Sequence, residues 1–360
     1  MKGLFYNMLA AALLFSCTAT ETDVQIVEDG ETPLSINCLG LSVDTKAIYD
    51  GVGTGGDDKL GQIGVLVTKG SPNTSYSTAL DVQIFTYSGS VWTPDLVLNL
   101  ANAQGTVYAW APTDYEGLLT GTPKMPVLKG PVVSATQTFN AGNEWDTDQV
   151  DFLYGSGAAT VGDETHPTVD KWNHTVANLY MQHALAKISF RIMKAEGQAV
   201  NEDDFVKKIE LNSTNTSFAV TPKSVAKVTM SLTDGTITGM TTGKTITLTA
   251  GTAGQLATWT GTNHTADFSS VMAQAYGLVA PASVGKMSLI LTLGPDGGPD
   301  STTDRTYQTK ADDSSLGNVS WQKGHHYIYT LTASDQGLVV TNVSVVGWDE
   351  TLPPVNVPVE

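Results

Sequence analysis

The segment Lys227-Val228-Thr229-Met230-Ser231-Leu232-Thr233 decides the fold class of this chain. Apolar and polar side chains alternate along it, so Val228, Met230 and Leu232 share one face of an extended strand. A period of two is typical of a strand with one face on a core and the other in water, whereas an amphipathic helix repeats every three to four residues. The segment therefore predicts a half-buried β-strand.

The same period of two recurs along the chain. In the second half it is present in Lys187–Ile192, Thr245–Thr249, Ser288–Leu293 and Tyr327–Thr332. In the first half, further strands are predicted at Ile63–Thr68, Leu80–Tyr87 and Val107–Ala111. Short helical turns are predicted only around Glu202–Lys208 and Ser269–Tyr276. Many short strands separated by glycine and proline indicate an all-β chain made of β-sandwiches.

Composition limits the classes of partner. The chain has 41% hydrophobic residues, enough for substantial cores, and only 15% charged residues. Its 19 basic and 36 acidic residues give a net charge of −17, which argues against binding to nucleic acid or to anionic membrane surfaces. The length suggests two domains, with a boundary in the polar, turn-rich stretch from Gly162 to Asn178.

The N-terminus has the pattern of a bacterial lipoprotein signal. Lys2 precedes an apolar run from Met8 to Phe15, and the run ends at Leu14-Phe15-Ser16-Cys17. The run is far shorter than the roughly 18 apolar residues that span a bilayer, so it predicts a signal that is removed. Residues 1–16 are the predicted signal and Cys17 the predicted lipidated residue. The alternative is an ordinary secretory signal, and both imply export.

Lipidation at Cys17 would leave the second cysteine, Cys38, without a disulfide partner. The mature chain must then be stabilised by apolar burial and by the hydrogen bonds of its sheets. Attachment to the membrane is expected through the N-terminal lipid only, because no other segment has the length and hydropathy of a membrane span.

Motifs for catalysis, cofactors or metals are weak. Gly51–Gly56 matches G-x-G-x-x-G, but Asp57 and Asp58 follow it where a nucleotide site needs the N-terminus of a helix. His325 and His326 are adjacent, so in a strand they point to opposite faces and cannot easily share one metal ion. Two acidic stretches are interpreted as solvated loops rather than calcium sites: Asp146 to Asp151 and Asp296 to Asp304. We expect neither a cofactor nor a metal.

Signatures of enzymes are likewise missing from the sequence. It contains no G-x-S-x-G, no H-E-x-x-H and no recognisable pair of cysteine and histidine for nucleophilic catalysis. A pair of carboxylates for glycoside hydrolysis stays open as an alternative, because such a pair is defined by its separation in space and not by sequence spacing. The prediction is a protein that is not an enzyme and has no catalytic residues.

Four local patterns together resemble the fimbrillin family of Bacteroidetes. They are Tyr108-Ala109-Trp110-Ala111-Pro112, Asp151-Phe152-Leu153-Tyr154-Gly155, Tyr180–Phe190 with His183 and Leu185, and Trp321-Gln322-Lys323-Gly324-His325-His326-Tyr327-Ile328-Tyr329 followed by Trp348. With the lipoprotein signal, the resemblance covers nearly the whole chain. It implies two transthyretin-like or Ig-like β-sandwich domains in tandem, at residues 47–178 and 179–360, and assembly into surface pili.

The resemblance also implies processing by a trypsin-like protease. Lys46 is the first basic residue after Lys2, so Lys46–Ala47 is the predicted cleaved bond and residues 17–46 the predicted propeptide. Within the propeptide, Leu34–Val43 is the predicted first strand of the amino-terminal domain. Its apolar residues change face near Cys38–Leu39, which predicts a bulge or a change of partner there.

The C-terminal tail is a candidate donor strand. Val355, Val357 and Val359 alternate with polar residues or proline, as expected of a strand that offers one apolar face to a groove. The alternative is a final strand that pairs within its own domain.

Two functional hypotheses follow. The first is a fimbrial subunit, exported to the outer membrane as a lipoprotein, trimmed, and assembled with other fimbrial subunits at the cell surface by donor-strand exchange. The alternative is an anchored lipoprotein that does not polymerise and binds a glycan or a host protein.

Overall fold

The computed structural model describes residues 31–41, 59–71, 73–77, 82–122, 124–141, 146–158, 165–194, 204–213, 228–240, 244–258, 273–283, 287–295, 302–309, 319–348 and 355–357. Every regular element in these ranges is a β-strand, which confirms the all-β prediction for this part of the chain. The strands in chain order are β1 Ser35–Leu41, β2 Gln62–Lys69, β3 Thr74–Ser75, β4 Val82–Ser88, β5 Val91–Pro94, β6 Gly105–Ala111, β7 Gly117–Thr120, β8 Met125–Lys129, β9 Thr136–Asn140, β10 Leu153–Ser156, β11 Thr168–Val169, β12 Val176–His183, β13 Ala186–Lys194, β14 Phe205–Ser213, β15 Thr229–Ser231, β16 Ile237–Thr238, β17 Thr245–Gln255, β18 Ala257–Thr258, β19 Ala275–Val279, β20 Ala282–Ser283, β21 Met287–Gly294, β22 Arg305–Gln308, β23 Ser320–Trp321, β24 His325–Ser334, β25 Gly337–Gly347 and β26 Val355–Val357.

These strands form five sheets. The first runs β1-β12-β10-β6-β2-β4-β5, with β3 on β2 and β11 on β6. The second runs β18-β13-β24-β25-β26, with β19 on β13, and the third runs β22-β21-β14-β17-β9. The two smaller sheets are β16-β15-β8-β7 and β20-β23. Most strands of the carboxyl-terminal half therefore belong to the second and third sheets. The first sheet consists of strands from the amino-terminal half.

Two pairings join the halves of the chain. Strand β9 lies beside β17 in parallel, and β8 pairs antiparallel with β15. The predicted domain boundary after residue 178 falls inside β12, which pairs with β1 and β10 of the first sheet. The division into two transthyretin-like domains stays a prediction.

The buried apolar side chains form three clusters. One lies within the first sheet and includes Ile63, Phe85 and Leu179. Another lies between the second and third sheets and includes Phe190 and Leu291. The third gathers side chains from both halves, among them Trp110, Leu128, Tyr154, Leu185, Met230 and Trp348. Burial of this third cluster fixes the two halves against each other, because each large side chain removed from water contributes about 1.5–3 kcal/mol.

The predicted helical turns are wrong where the structure describes them. Phe205 to Lys208 begin β14, and Ala275 and Tyr276 begin β19. All five residues of β19 are buried. Full burial removes the alternation that identifies a strand in the sequence, so the local pattern there was ambiguous.

Trp110 occupies a slot that two glycines make possible. A Cβ atom on Gly64 would lie 2.2 Å from Trp110 Cε2, and one on Gly117 would lie 2.4 Å from Trp110 Cη2. We expect Gly64→Ala to lower the free energy of unfolding by about 1–3 kcal/mol or more, because the buried indole cannot move aside without displacing the core. Denaturant unfolding of the purified protein measures this change.

The matched control for this substitution is Gly347→Ala in β25. A Cβ there meets no atom within 4 Å, so this variant should unfold at the wild-type midpoint or slightly above it. Equal midpoints for the two variants would show that the Trp110 slot tolerates a methyl group.

Candidate functional site

Strand β1 lies at the edge of the first sheet and pairs in parallel with β12. The register runs from Ser35 opposite Val176 to Leu41 opposite Met181, with an irregularity between Cys38 and Gly40. The strand predicted at Leu34–Val43 is present at Ser35–Leu41, with Val43 outside the described residues, and the irregularity predicted near Cys38–Leu39 is confirmed. Removal of this strand with the propeptide stays a prediction. The irregularity lies at the point where the apolar residues of the sequence change face.

The residues just before β1 form hydrogen bonds with the segment 98–100. The Leu34 amide donates to the Leu98 carbonyl at 2.8 Å, and the Leu100 amide donates to the Thr32 carbonyl at 2.7 Å. Residues 32–41 therefore lie between the segment 98–100 on one side and β12 on the other. Removing them would leave backbone groups unpaired on both sides.

The inward face of this segment is apolar. Leu34 and Ile36 are buried in the core of the first sheet, and Cys38 packs against the same core from a partly buried position. Leu39 is exposed. Loss of the segment would uncover apolar side chains such as Leu98 and Leu179. The site is therefore a groove already filled by a strand of its own chain.

A second feature is the buried junction around Trp348, the last described residue before the C-terminal tail. The Trp348 indole stacks on the His183 ring at 4.0 Å between centroids, and the Lys187 ammonium lies 5.0 Å from the indole centroid. The His183 Nδ1 atom lies 2.8 Å from the Asp151 Oδ2 atom, with both side chains buried. The Trp348 amide donates to the Gly324 carbonyl at 2.8 Å. The chain is thus anchored at residue 348.

Residues from separate sequence patterns meet at this junction. Asp151, His183 and Trp348 are in contact although each belongs to a different pattern. Tyr154 is close to them in the same cluster, with the Lys323 ammonium 5.0 Å from its ring centroid. The sequence identified the patterns, but their convergence was missed because it depends on pairing between distant strands.

The final aromatic pattern is structural. The Trp321 indole donates to the Tyr329 hydroxyl oxygen at 2.9 Å, and the Tyr327 hydroxyl donates to the Ser320 carbonyl at 2.6 Å. Burial raises the pKa of both tyrosine hydroxyls, so they stay neutral donors and acceptors at physiological pH. These bonds tie β23 to β24.

Strand β26 pairs antiparallel with the edge of β25. Val355, Asn356 and Val357 lie opposite Val345, Ser344 and Val343. This is the arrangement that the alternative interpretation of the tail describes, and the donor role of Val355, Val357 and Val359 stays a prediction. Val359 lies outside the described residues, as do Cys17, Lys46, Ala47 and Gly51–Gly56.

The candidate metal ligands have separate partners. His325 Nδ1 lies 2.9 Å from the Lys323 carbonyl oxygen, whereas His326 Nε2 lies 2.8 Å from the Ser189 hydroxyl. Asp146 accepts from the Asn140 side chain, while Asp148 accepts from the Thr138 amide. Within the described ranges no three metal-ligating side chains form a group, and no helix there has the length and hydropathy of a membrane span.

Comparison with known proteins identifies the family to which the chain belongs. The sequence profile described as fimbrillin-like matches residues 45–348. The chain belongs to the fimbrillin-like family. This confirms the resemblance drawn from the four sequence patterns. The matched range excludes β1 and β26. No curated protein matches the chain.

Solved structures from Bacteroides and Porphyromonas match this chain over most of its length. A fimbrial protein of B. vulgatus has 12% identity and a TM-score of 0.51, covering 88% of this chain and 99% of that one. A candidate cell adhesion protein of B. uniformis has 19% identity and a TM-score of 0.50, covering 89% and 100%. The fimbrial anchor protein Mfa2 of Porphyromonas gingivalis has 13% identity and a TM-score of 0.35, covering 80% of this chain and 89% of that one.

Membership of the fimbrillin-like family rests on the sequence profile, whereas these solved structures, at 12% and 19% identity, show the fold alone.

Proposed function

We propose that this fimbrillin-like protein is a structural and adhesive subunit of a cell-surface fimbria. It is exported as a lipoprotein with the lipid on Cys17 and reaches the outer membrane through that lipid. A trypsin-like protease then cuts the Lys46–Ala47 bond, and the trimmed subunit joins other fimbrial subunits by donor-strand exchange.

The observation that carries this proposal is the position of β1. This strand ends five residues before Lys46 in the sequence and lies at a sheet edge. Ile36 within the strand and Leu34 just before it belong to the core of the first sheet. A cut after Lys46 would separate this strand from the rest of the chain covalently. Departure of the strand would leave an apolar groove with unpaired amide and carbonyl groups along β12.

A strand from a neighbouring subunit is the natural occupant of such a groove. Strand addition pairs the backbone of the incoming segment and inserts its alternate side chains into the core. The tail provides a candidate, because Val355, Val357 and Val359 alternate in the sequence and the tail follows the anchored Trp348 along the chain. The pairing of β26 on β25 would then be the position of the tail before exchange.

One observation favours the alternative function. Strand β26 already pairs with β25 of its own chain, so its backbone groups have hydrogen-bond partners without a neighbouring subunit. In that case the protein would remain a lipid-anchored, monomeric lipoprotein that binds a glycan or a host protein.

N-terminal sequencing of the protein shed from cells tests the proposal. We expect the shed form to begin at Ala47, because Lys46 is the first basic residue after the signal. Protein that retains a lipidated Cys17 and resists release by the protease would support the anchored alternative instead.

A further inference from the structure

Trp172 is the most exposed large apolar residue that the structure describes. Its side chain lies in the turn between β11 and β12, and the residue is 68% exposed, whereas the other four described tryptophans are at most 7% exposed. An indole combines a large apolar surface with one N–H donor, so an exposed tryptophan is well suited to contact with a partner molecule.

The turn holds this indole in a fixed position. One Asp170 carboxylate oxygen accepts from the Trp172 amide at 2.8 Å and from the Asn173 amide at 2.7 Å. The hydrogen bond from the Asn173 amide, followed by that from the Trp172 amide, lowers the pKa of the Asp170 carboxyl. The carboxyl therefore stays ionised at neutral pH. The indole N–H donates to the Asn102 side-chain oxygen at 3.0 Å. The ring is thus preorganised before a ligand arrives.

Polar residues adjoin Trp172 along the turn, and Asn102 contacts its indole. The Asn102 amide nitrogen, the Asn173 side-chain amide and the His174 Nε2 atom have no hydrogen-bond partner within the described part of the chain. The Lys171 ammonium lies 5.4 Å from the ring centroid and covers one side of the ring. An apolar plane beside unengaged amide and imidazole groups is therefore offered to solvent.

This combination fits a sugar ring. A pyranose has an apolar face of C–H groups, which packs on an aromatic plane, and a rim of hydroxyls, which pair with amides and imidazole. A protein partner would be expected to require an apolar neighbourhood around its anchoring residue, since hot spots lie in desolvated centres. Here the immediate neighbours in the turn are polar.

We propose that the turn Asp170–His174, with Asn102, is a carbohydrate-binding site in which a pyranose ring of a polysaccharide stacks on Trp172. This site requires neither cleavage at Lys46 nor polymerisation, so it is independent of the proposed assembly.

Affinity electrophoresis of the full-length protein in gels containing mannan, xylan, β-glucan or hyaluronan tests the proposal. At least one polysaccharide should retard the wild-type protein, and Trp172→Ala should weaken that retardation about tenfold. Trp172→Tyr should restore part of the affinity, and Asn102→Ala should weaken it because the indole loses its fixed orientation.

Val339→Ala provides the control, since Val339 is an exposed residue of a different sheet. It should bind as the wild type does. The proposal is overturned if none of the four polysaccharides retards the protein, or if Trp172→Ala is retarded as strongly as the wild type. If Trp172→Ala lowers fibre assembly with polysaccharide retardation unchanged, the indole is a contact between subunits, and the proposal fails in that case too.

Discussion

Cells that carry only the Lys46→Ala variant are expected to display no fibres, although the subunit is exported and folded. Without the cut, β1 stays covalently attached, and Leu34 and Ile36 continue to fill the core of the first sheet. A free strand would have to displace an attached one whose two buried side chains contribute about 1.5–3 kcal/mol each. Electron microscopy of the cells and the mass of the subunit measure this effect.

Two neighbouring variants make the test specific. Lys46→Arg keeps a basic residue that a trypsin-like protease accepts, so it should restore fibres. Lys59→Ala removes the next lysine in the sequence and should leave processing and assembly unchanged. Normal fibres on cells with Lys46→Ala would disprove processing at this bond as the trigger of assembly.

The strands were predictable because half-buried strands carry their period in the sequence. Val228, Met230 and Leu232 are all fully buried, as their alternation indicated. The irregularity in β1 was predictable for a related reason. A change of apolar face within one strand requires either an extra residue or a change of partner, and the structure has the irregularity between Cys38 and Gly40.

Contacts between distant segments could not be predicted in the same way. Nothing in the local sequence of β9 indicates that it lies parallel to β17, more than a hundred residues later. The contact of Asp151 and His183 with Trp348 likewise depends on how β10, β12 and β25 are arranged. Sequence spacing carries no information about such pairings when each segment is a plausible strand by itself.

The exposed Trp172 could not be identified from the sequence because its surroundings carry no pattern. A tryptophan among polar turn residues carries no periodic signal, and in the sequence alone it resembles any other aromatic residue. Its exposure becomes apparent only when the fold shows that the other described tryptophans are buried. The hydrogen bonds of Asp170 and Asn102 then distinguish a fixed indole from a freely rotating one.

Deletion of Val355–Glu360 is expected to leave a folded monomer that no longer donates a strand to a neighbour. Strand β26 contributes only three residue pairs at the edge of β25, whereas β25 keeps ten pairs with β24. Since each backbone hydrogen bond contributes about 0.5–1.5 kcal/mol net, the monomer should lose little thermal stability. Thermal unfolding and in vitro assembly of the trimmed subunit measure the two effects separately.

The truncated subunit would still have the groove that β1 vacates, so it could accept a strand without offering one. Added to wild-type subunits, it should therefore end growing fibres and shorten them in proportion to its share of the mixture. Asn356→Ser keeps the length of the tail and its alternating valines, and serves as the control that should assemble normally. A truncated monomer that unfolds at a much lower temperature would instead assign β26 to its own sheet, because a strand that stabilises the monomer is not a strand reserved for exchange.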